Sequence, residues 1–203
     1  MKRSSQLAAF VAMAGVVLFA SCSKSNDSTP AAPVEAKAVA NINSNSASTN
    51  GHFAFYSLER NEPVAYTDSA TTKWDIAFRS TVIIINGGTS GPGNGGAFVQ
   101  RGTTFADYKT ISADSTFKLD ATGGVYAITT GSDKGWYSYN PNTHIISPIA
   151  GNLLIVRTAT GKYAKVEVTS YYQGAPAVPD ANTAVSGYYN FRFGYQSNGS
   201  KQF

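Results

Sequence analysis

Leu153 to Tyr172 constrains this chain more than any other stretch, because it alternates like two paired strands and nothing after the first twenty residues sustains a helical period. Leu153 to Thr158 is an apolar strand, Ala159-Thr160-Gly161 a short loop, and Lys162 to Tyr172 a returning strand. Ala164, Val166, Val168 and Tyr172 take one face of the return strand. Tyr163, Lys165, Glu167, Thr169 and Tyr171 take the other, which predicts a sheet with one wet face. A Pro/Ala/Asn loop from Gln173 to Gly187 leads to a last strand, Tyr188 to Gln196, with Tyr189, Phe191, Phe193 and Tyr195 on one side. Upstream, strands are predicted at Phe53–Leu58, Trp74–Arg79, Val82–Ile85, Phe98–Gln100, Tyr126–Thr129 and Trp136–Tyr139. The Asn140-Pro141-Asn142 turn then returns the chain as His144–Pro148, closing a hairpin. Trp74, Ile76 and Phe78 are expected on one face of their strand, opposite Asp75, Ala77 and Arg79. Phe105–Tyr108 reads as a single helical turn capped by Thr104. The expected fold class is mainly β: a single antiparallel-rich domain with little helix, behind a signal peptide and a flexible tether.

The amino terminus sets that domain apart. Lys2 and Arg3 precede an apolar run from Leu7 to Ala20, then small residues at Ser21-Cys22. That is the order of a secretory signal, residues 1–21, and the run is shorter than the roughly 20 residues a membrane-spanning helix needs. Cys22, the single cysteine, would be left N-terminal by cleavage, and Phe19-Ala20-Ser21-Cys22 resembles a lipobox. Lipidation of Cys22 is therefore expected, with an incidental cysteine behind a plain signal as the alternative. Acylation implies anchoring at a membrane, the outer membrane in a bacterium with two. Residues 22–51, rich in Ser, Asn, Ala, Pro and Thr and without aromatics, read as a flexible tether. The folded domain is expected at 52–203.

Composition narrows what that domain can do. Without Lys2 and Arg3 the chain has 14 basic and 12 acidic residues, scattered singly, which offers nucleic acid no footprint. The chain has 12 tyrosines, none in the signal. Strand propensity explains them, and so does a flat amphipathic binding surface.

The motifs that suggest chemistry fail on context. Half of the residues from Asn86 to Ala97 are glycine, and Gly91-Pro92-Gly93-Asn94-Gly95-Gly96 matches G-x-G-x-x-G. The dinucleotide fingerprint needs a helix there, whereas Phe98-Val99-Gln100 follows. Pro92 stands where the second glycine of a nucleophile elbow belongs. The glycines are better read as serving turns and close packing. No carboxylate pair or triad stands out, so no enzyme is expected. Beyond the signal there is no methionine, and the histidines are His52 and His144. A multi-histidine zinc site is thereby disfavoured. Haem iron needs only one or two axial ligands, and His144, beside an aromatic hairpin, is the better placed of the pair. A structural hydrogen bond at the turn is its other reading. His52, at the tether boundary, is expected to be solvated.

Several stretches, taken together, resemble a known family. WDIAFR, an apolar run and NGGTSGPGNGG, then WYSYNPNTHIISP, LLIVRTATGKYAKVEVTSYY and YNFRFGYQ, are similar to the HmuY family of bacterial lipoproteins. The resemblance implies a non-catalytic haem-binding domain that passes haem to a TonB-dependent outer-membrane receptor. It also implies axial ligation from the later half of the chain, where His144 stands, with Tyr137 or Tyr139 as possible helpers, or iron left five-coordinate, or haem binding lost. The alternative function is a binding module for another ligand, such as a glycan or a partner protein.

Overall fold

The computed structural model describes residues 34–203. The expected signal peptide and Cys22 lie outside the described residues. The described residues form eleven strands: β1 (Ala36–Asn43), β2 (Ala54–Ser57), β3 (Glu62–Val64), β4 (Ile76–Arg79), β5 (Val82–Ile85), β6 (Gly96–Gln100), β7 (Tyr137–Asn140), β8 (Ile145–Pro148), β9 (Leu153–Arg157), β10 (Tyr163–Tyr172) and β11 (Ser186–Gln196). One 3₁₀ turn, Tyr66–Asp68, is the sole helical element among the described residues. A five-stranded sheet runs β1-β11-β10-β9-β6, a four-stranded sheet runs β3-β2-β4-β5, and β7-β8 stands as a separate hairpin. All the pairings are antiparallel.

The main core lies between the two larger sheets. Leu154, Val156, Ala164, Val166, Phe191 and Phe193 from one sheet meet Tyr56, Ile76, Phe78, Ile83 and Ile85 from the other. Each such side chain contributes about 1.5–3 kcal/mol when fully buried. The predicted aromatic face of the last strand holds: Tyr189, Phe191 and Phe193 are buried and Tyr195 packs at the edge of the same core.

Elsewhere the strand alternation misleads. The expected wet face of β10 is largely covered, because Phe105, Ile111 and Phe203 pack on Leu153 and Ile155 across the sheet's outer side. Lys165 is buried beneath them, and its ammonium donates to the carbonyls of Phe105 and Tyr108 at 2.8 Å each. The rings of Phe105 and Phe203 lie 4.6 and 5.2 Å from the same nitrogen. Burial, with Lys109 and Arg192 adding repulsion, pushes the Lys165 pKa down to about 8. Tyr171 turns into the core rather than outward, because register shifts on either side of Ser170 change the phase of β10. Trp74 precedes β4 and packs against Phe55, Ala77 and Ile84 on the outer side, not with Ile76 and Phe78. Tyr126–Thr129 is not a strand; an isolated bridge between Ala121 and Val125 just precedes it. Phe105–Tyr108 is a turn, and Thr104 does cap it, its hydroxyl accepting from the Asp107 amide at 3.1 Å.

The expected tether is the largest correction. Ala36–Asn43 pairs with β11 as the sheet's edge strand, and Val39 and Ile42 pack against the main core. Ser44 is fully buried, its hydroxyl donating to the Gly187 carbonyl at 2.9 Å. Open backbone groups along the aromatic β11 accept a partner strand whatever its side chains, so a polar, alanine-rich segment is ordered here. His52 is half-buried instead of solvated, stacked on Tyr66 with ring centroids 3.5 Å apart.

The glycine-rich loop is a packed corner built on Asn86. The side-chain amide of Asn86 donates to the Thr71 and Trp74 carbonyls at 2.9 and 2.7 Å, and its oxygen accepts from the Gly93 amide at 2.9 Å. A Cβ on Gly95 would lie 2.3 Å from the Asn86 carbonyl oxygen, and one on Gly87 would lie 2.2 Å from the Gly95 oxygen. Close approach, not ligand contact, explains the glycines.

Candidate functional site

The β7–β8 hairpin carries the predicted site residues, and its base is fixed by aromatic packing. Trp136 lies 4.8, 5.6 and 5.0 Å from the ring centroids of Tyr137, Tyr171 and Tyr189. Its indole N–H donates to the Thr81 carbonyl at 3.0 Å. Burial pushes the Tyr171 pKa up to about 12 and that of Tyr189 well above its ordinary value, so both phenols stay neutral. The Tyr189 hydroxyl donates to the Ser80 carbonyl at 3.0 Å. Strand β8 rests against the end of β10, where the Ile146 amide donates to the Tyr172 hydroxyl at 3.0 Å.

At the exposed end the Asn140 side chain closes the turn by accepting from the Asn142 and Thr143 amides. His144 follows with φ +57°, a left-handed conformation uncommon for a side-chain-bearing residue. The Tyr139 hydroxyl and His144 Nδ1 are 2.7 Å apart. The structure therefore brings Tyr139 and His144 together, while Tyr137 is 9% exposed and belongs to the core beneath them. With Nδ1 engaged, Nε2 is the ring nitrogen that makes no hydrogen bond among the described residues. This is how ligating histidines are commonly oriented, one nitrogen held by a neighbour and the other presented outward.

Beside this hairpin lies the loop from Gln173 to Val185, which leaves from the end of β10. Its two ends are tied by the Gln173 amide donating to the Val185 carbonyl at 2.9 Å. It encloses a cavity of about 450 Å³, lined in part by Pro176, Val178, Asp180, Thr183 and Ala184. Val178 is 87% exposed. Ala184 packs at the edge of the same core as Ile145 and Ile146 of β8. The sequence predicts only a Pro/Ala/Asn connecting loop here, and its composition gives no sign of a cavity.

The donor set limits what could be held here. Among the described residues no group of three or more His, Cys, Asp or Glu could hold a bare metal ion. The buried carboxylates serve the backbone. Asp75 accepts from the Leu58 and Ala159 amides at 2.8 and 3.0 Å. Asp120 accepts from the Ile85 and Ala127 amides at 2.9 and 2.8 Å.

Comparison with known proteins follows that geometry. No curated protein matches the chain. Among solved structures, a Bacteroides vulgatus ATCC 8482 protein described as HmuY-like and heme-binding shares the fold at 15% identity, with a TM-score of 0.51, over 79% of this chain and 91% of its own. An apo HmuY analog from Tannerella forsythia does so at 15% identity, with a TM-score of 0.51, over 80% of this chain and 95% of its own. The family model described as HmuY protein matches residues 49–193. That span holds both larger sheets except β1 and the end of β11, as well as the hairpin and the 173–185 loop, and the chain belongs to the HmuY family.

Proposed function

We propose that this domain is a non-catalytic haem-binding protein in which His144 is the protein's iron ligand. The supporting observation is the Tyr139–His144 pair, which occupies Nδ1 and leaves Nε2 outward at the tip of a hairpin anchored by Trp136. Haem, when bound, supplies a flat apolar macrocycle and an iron that accepts a neutral nitrogen. For Nε2 to offer its lone pair, the imidazole proton must sit on Nδ1 and be donated to the Tyr139 oxygen. Tyr139 is therefore a positioning residue that selects the tautomer, not a second ligand. Tyr137, 9% exposed within the core, has no ligand role in this reading. The chain has no methionine beyond Met13, and its other histidine, His52, is stacked on Tyr66, so in this reading His144 would be the single protein ligand of the iron. The exposed apolar groups of the 173–185 loop provide contact area for the macrocycle.

In the cell the domain would be held by a lipidated Cys22 at the outer membrane and would pass haem to a TonB-dependent receptor. Titration of purified protein with haemin tests the binding reading. A saturable Soret shift lost in His144→Ala is expected. No shift would remove haem as the ligand and favour a glycan or protein partner, while a shift unchanged by His144→Ala would remove the residue.

A further inference from the structure

Three basic residues that lie far apart along the sequence meet in space. Arg101, Lys118 and Lys134 line one cavity of about 300 Å³, with Phe98, Val99 and Ala127 as its apolar lining and Thr129 beside them. Three separate segments deliver these cations to β6, the edge strand of the five-stranded sheet. Arg101 directly follows β6, and its guanidinium donates to the Lys134 carbonyl at 2.6 Å. Lys118 is fixed by two backbone hydrogen bonds with Ala97, both 2.9 Å. Lys134 is set by the turn from Gly131, whose carbonyl accepts from its amide.

No acidic side chain lines the cavity. The ion pairs among the described residues are Arg60–Glu62, Lys73–Asp68 and Arg192–Glu167, and they include none of the three cations. The carboxylates nearest in sequence are otherwise engaged. Asp120 is buried on the Ile85 and Ala127 amides, and Asp133 accepts from the Ser132 hydroxyl. Three like charges around one concavity repel one another, and a low-dielectric wall focuses their field outward. An anion entering the cavity relieves that repulsion. The size is at the small end of ligand sites, which begin at roughly 300 Å³.

We infer that this cavity binds a small organic anion, a phosphate or carboxylate carried on a compact apolar body, at a site that shares no lining residue with the His144 hairpin. The three cations recognise the anionic group, and Phe98, Val99 and Ala127 contact the apolar body. Phenyl phosphate and inorganic phosphate are the probes, titrated into the full chain and followed by calorimetry and amide chemical shifts. Saturable phenyl phosphate binding is expected, with shifts at Val99, Ala127 and Thr129 and affinity at least tenfold above inorganic phosphate. Lys118→Gln/Lys134→Gln should weaken it at least tenfold, and Lys73→Gln, a lysine outside the cavity, should leave it unchanged. Both lysines of the double variant are exposed, so its fold is expected to be intact, and an unchanged circular dichroism spectrum checks this. Absence of saturable binding, equal affinity for the two probes, or equal loss in Lys73→Gln would each overturn the assignment. Haemin titration of the same double variant is expected to match the wild type, so the result stands or falls independently of the haem reading.

Discussion

Lys165 buries a positive charge with carbonyls and aromatic rings around it and no ion-pair partner among the described residues. Its pKa falls from 10.5 to about 8, with burial the main cause. At roughly 1.4 kcal/mol per pKa unit, this places about 3 kcal/mol of destabilisation on the protonated native state. Below pH 8 both native and unfolded chains carry the proton, and the cost is present in full. Above pH 8 the native state releases it while the unfolded chain keeps it to about 10.4, so stability rises with pH. Buried tyrosines reverse the trend higher up. Tyr56, Tyr171 and Tyr195 are pushed up to about 12 mainly by burial, so above about 10 the unfolded state loses protons that the native state keeps. The usable window is therefore about pH 8 to 10, where about 2 kcal/mol of the Lys165 term should return. Urea denaturation at half-unit pH steps reads this as a rising midpoint. Lys165→Met should flatten the rise, whatever its absolute stability after losing two hydrogen bonds. A wild-type midpoint that stays level across the window, or a rise that persists in the variant, would refute the reasoning.

Other expectations follow from single contacts. Gly95→Ala places a Cβ 2.3 Å from the Asn86 carbonyl, backbone that cannot swing away, and should cost about 1–3 kcal/mol in chemical denaturation; a cost below about 0.5 kcal/mol would contradict the packed-corner account. Asp75→Ala strands the Leu58 and Ala159 amides and should cost about 2–6 kcal/mol, at roughly 1–3 kcal/mol for each buried group left unsatisfied. Burial also raises the Asp75 pKa above 3.8, so the native state holds a proton that the unfolded state has lost. Its contribution is full below 3.8 and is lost as pH rises through the folded value; acid titration of Asp75→Asn should lack that slope. Tyr139→Phe, at an exposed position, should shift stability by less than about 0.5 kcal/mol. It should nevertheless weaken haemin binding by about 10–100-fold, the usual effect of removing the partner of a ligating histidine.

The parts of the fold legible in sequence are those where one face is apolar over several residues. β9 is a continuous apolar run buried on both faces, while β10 up to Val168 and β11 set a row of apolar residues against the main core. Legibility ends where the pleat is broken or where a residue sits outside it. Tyr171 follows a register shift, and Trp74 lies before its strand begins. β1 was hidden because its apolar residues, Val39 and Ile42, straddle an irregularity at Asn41, which has φ +59°. Lys165 was read as wet because its cover, Phe105 and Phe203, comes from remote segments. The Tyr139–His144 pair was visible in outline, since a tight Asn-Pro-Asn turn brings the two strands back together. The roles of its members were not, because period-2 alternation puts Tyr137 and Tyr139 on one side without saying that the first is in the core. The cationic cavity depends on segments far apart in sequence, and no local pattern could announce it.

In the proposed haem complex, His144 Nε2 would be the one protein ligand of the iron. Electron paramagnetic resonance of the ferric haem complex, recorded for wild type and His144→Ala, tests it most directly. A high-spin ferric spectrum with one protein nitrogen ligand in the wild type, lost in His144→Ala, is the predicted result. A low-spin spectrum with two strong axial ligands, or a wild-type spectrum that survives in His144→Ala, would contradict it.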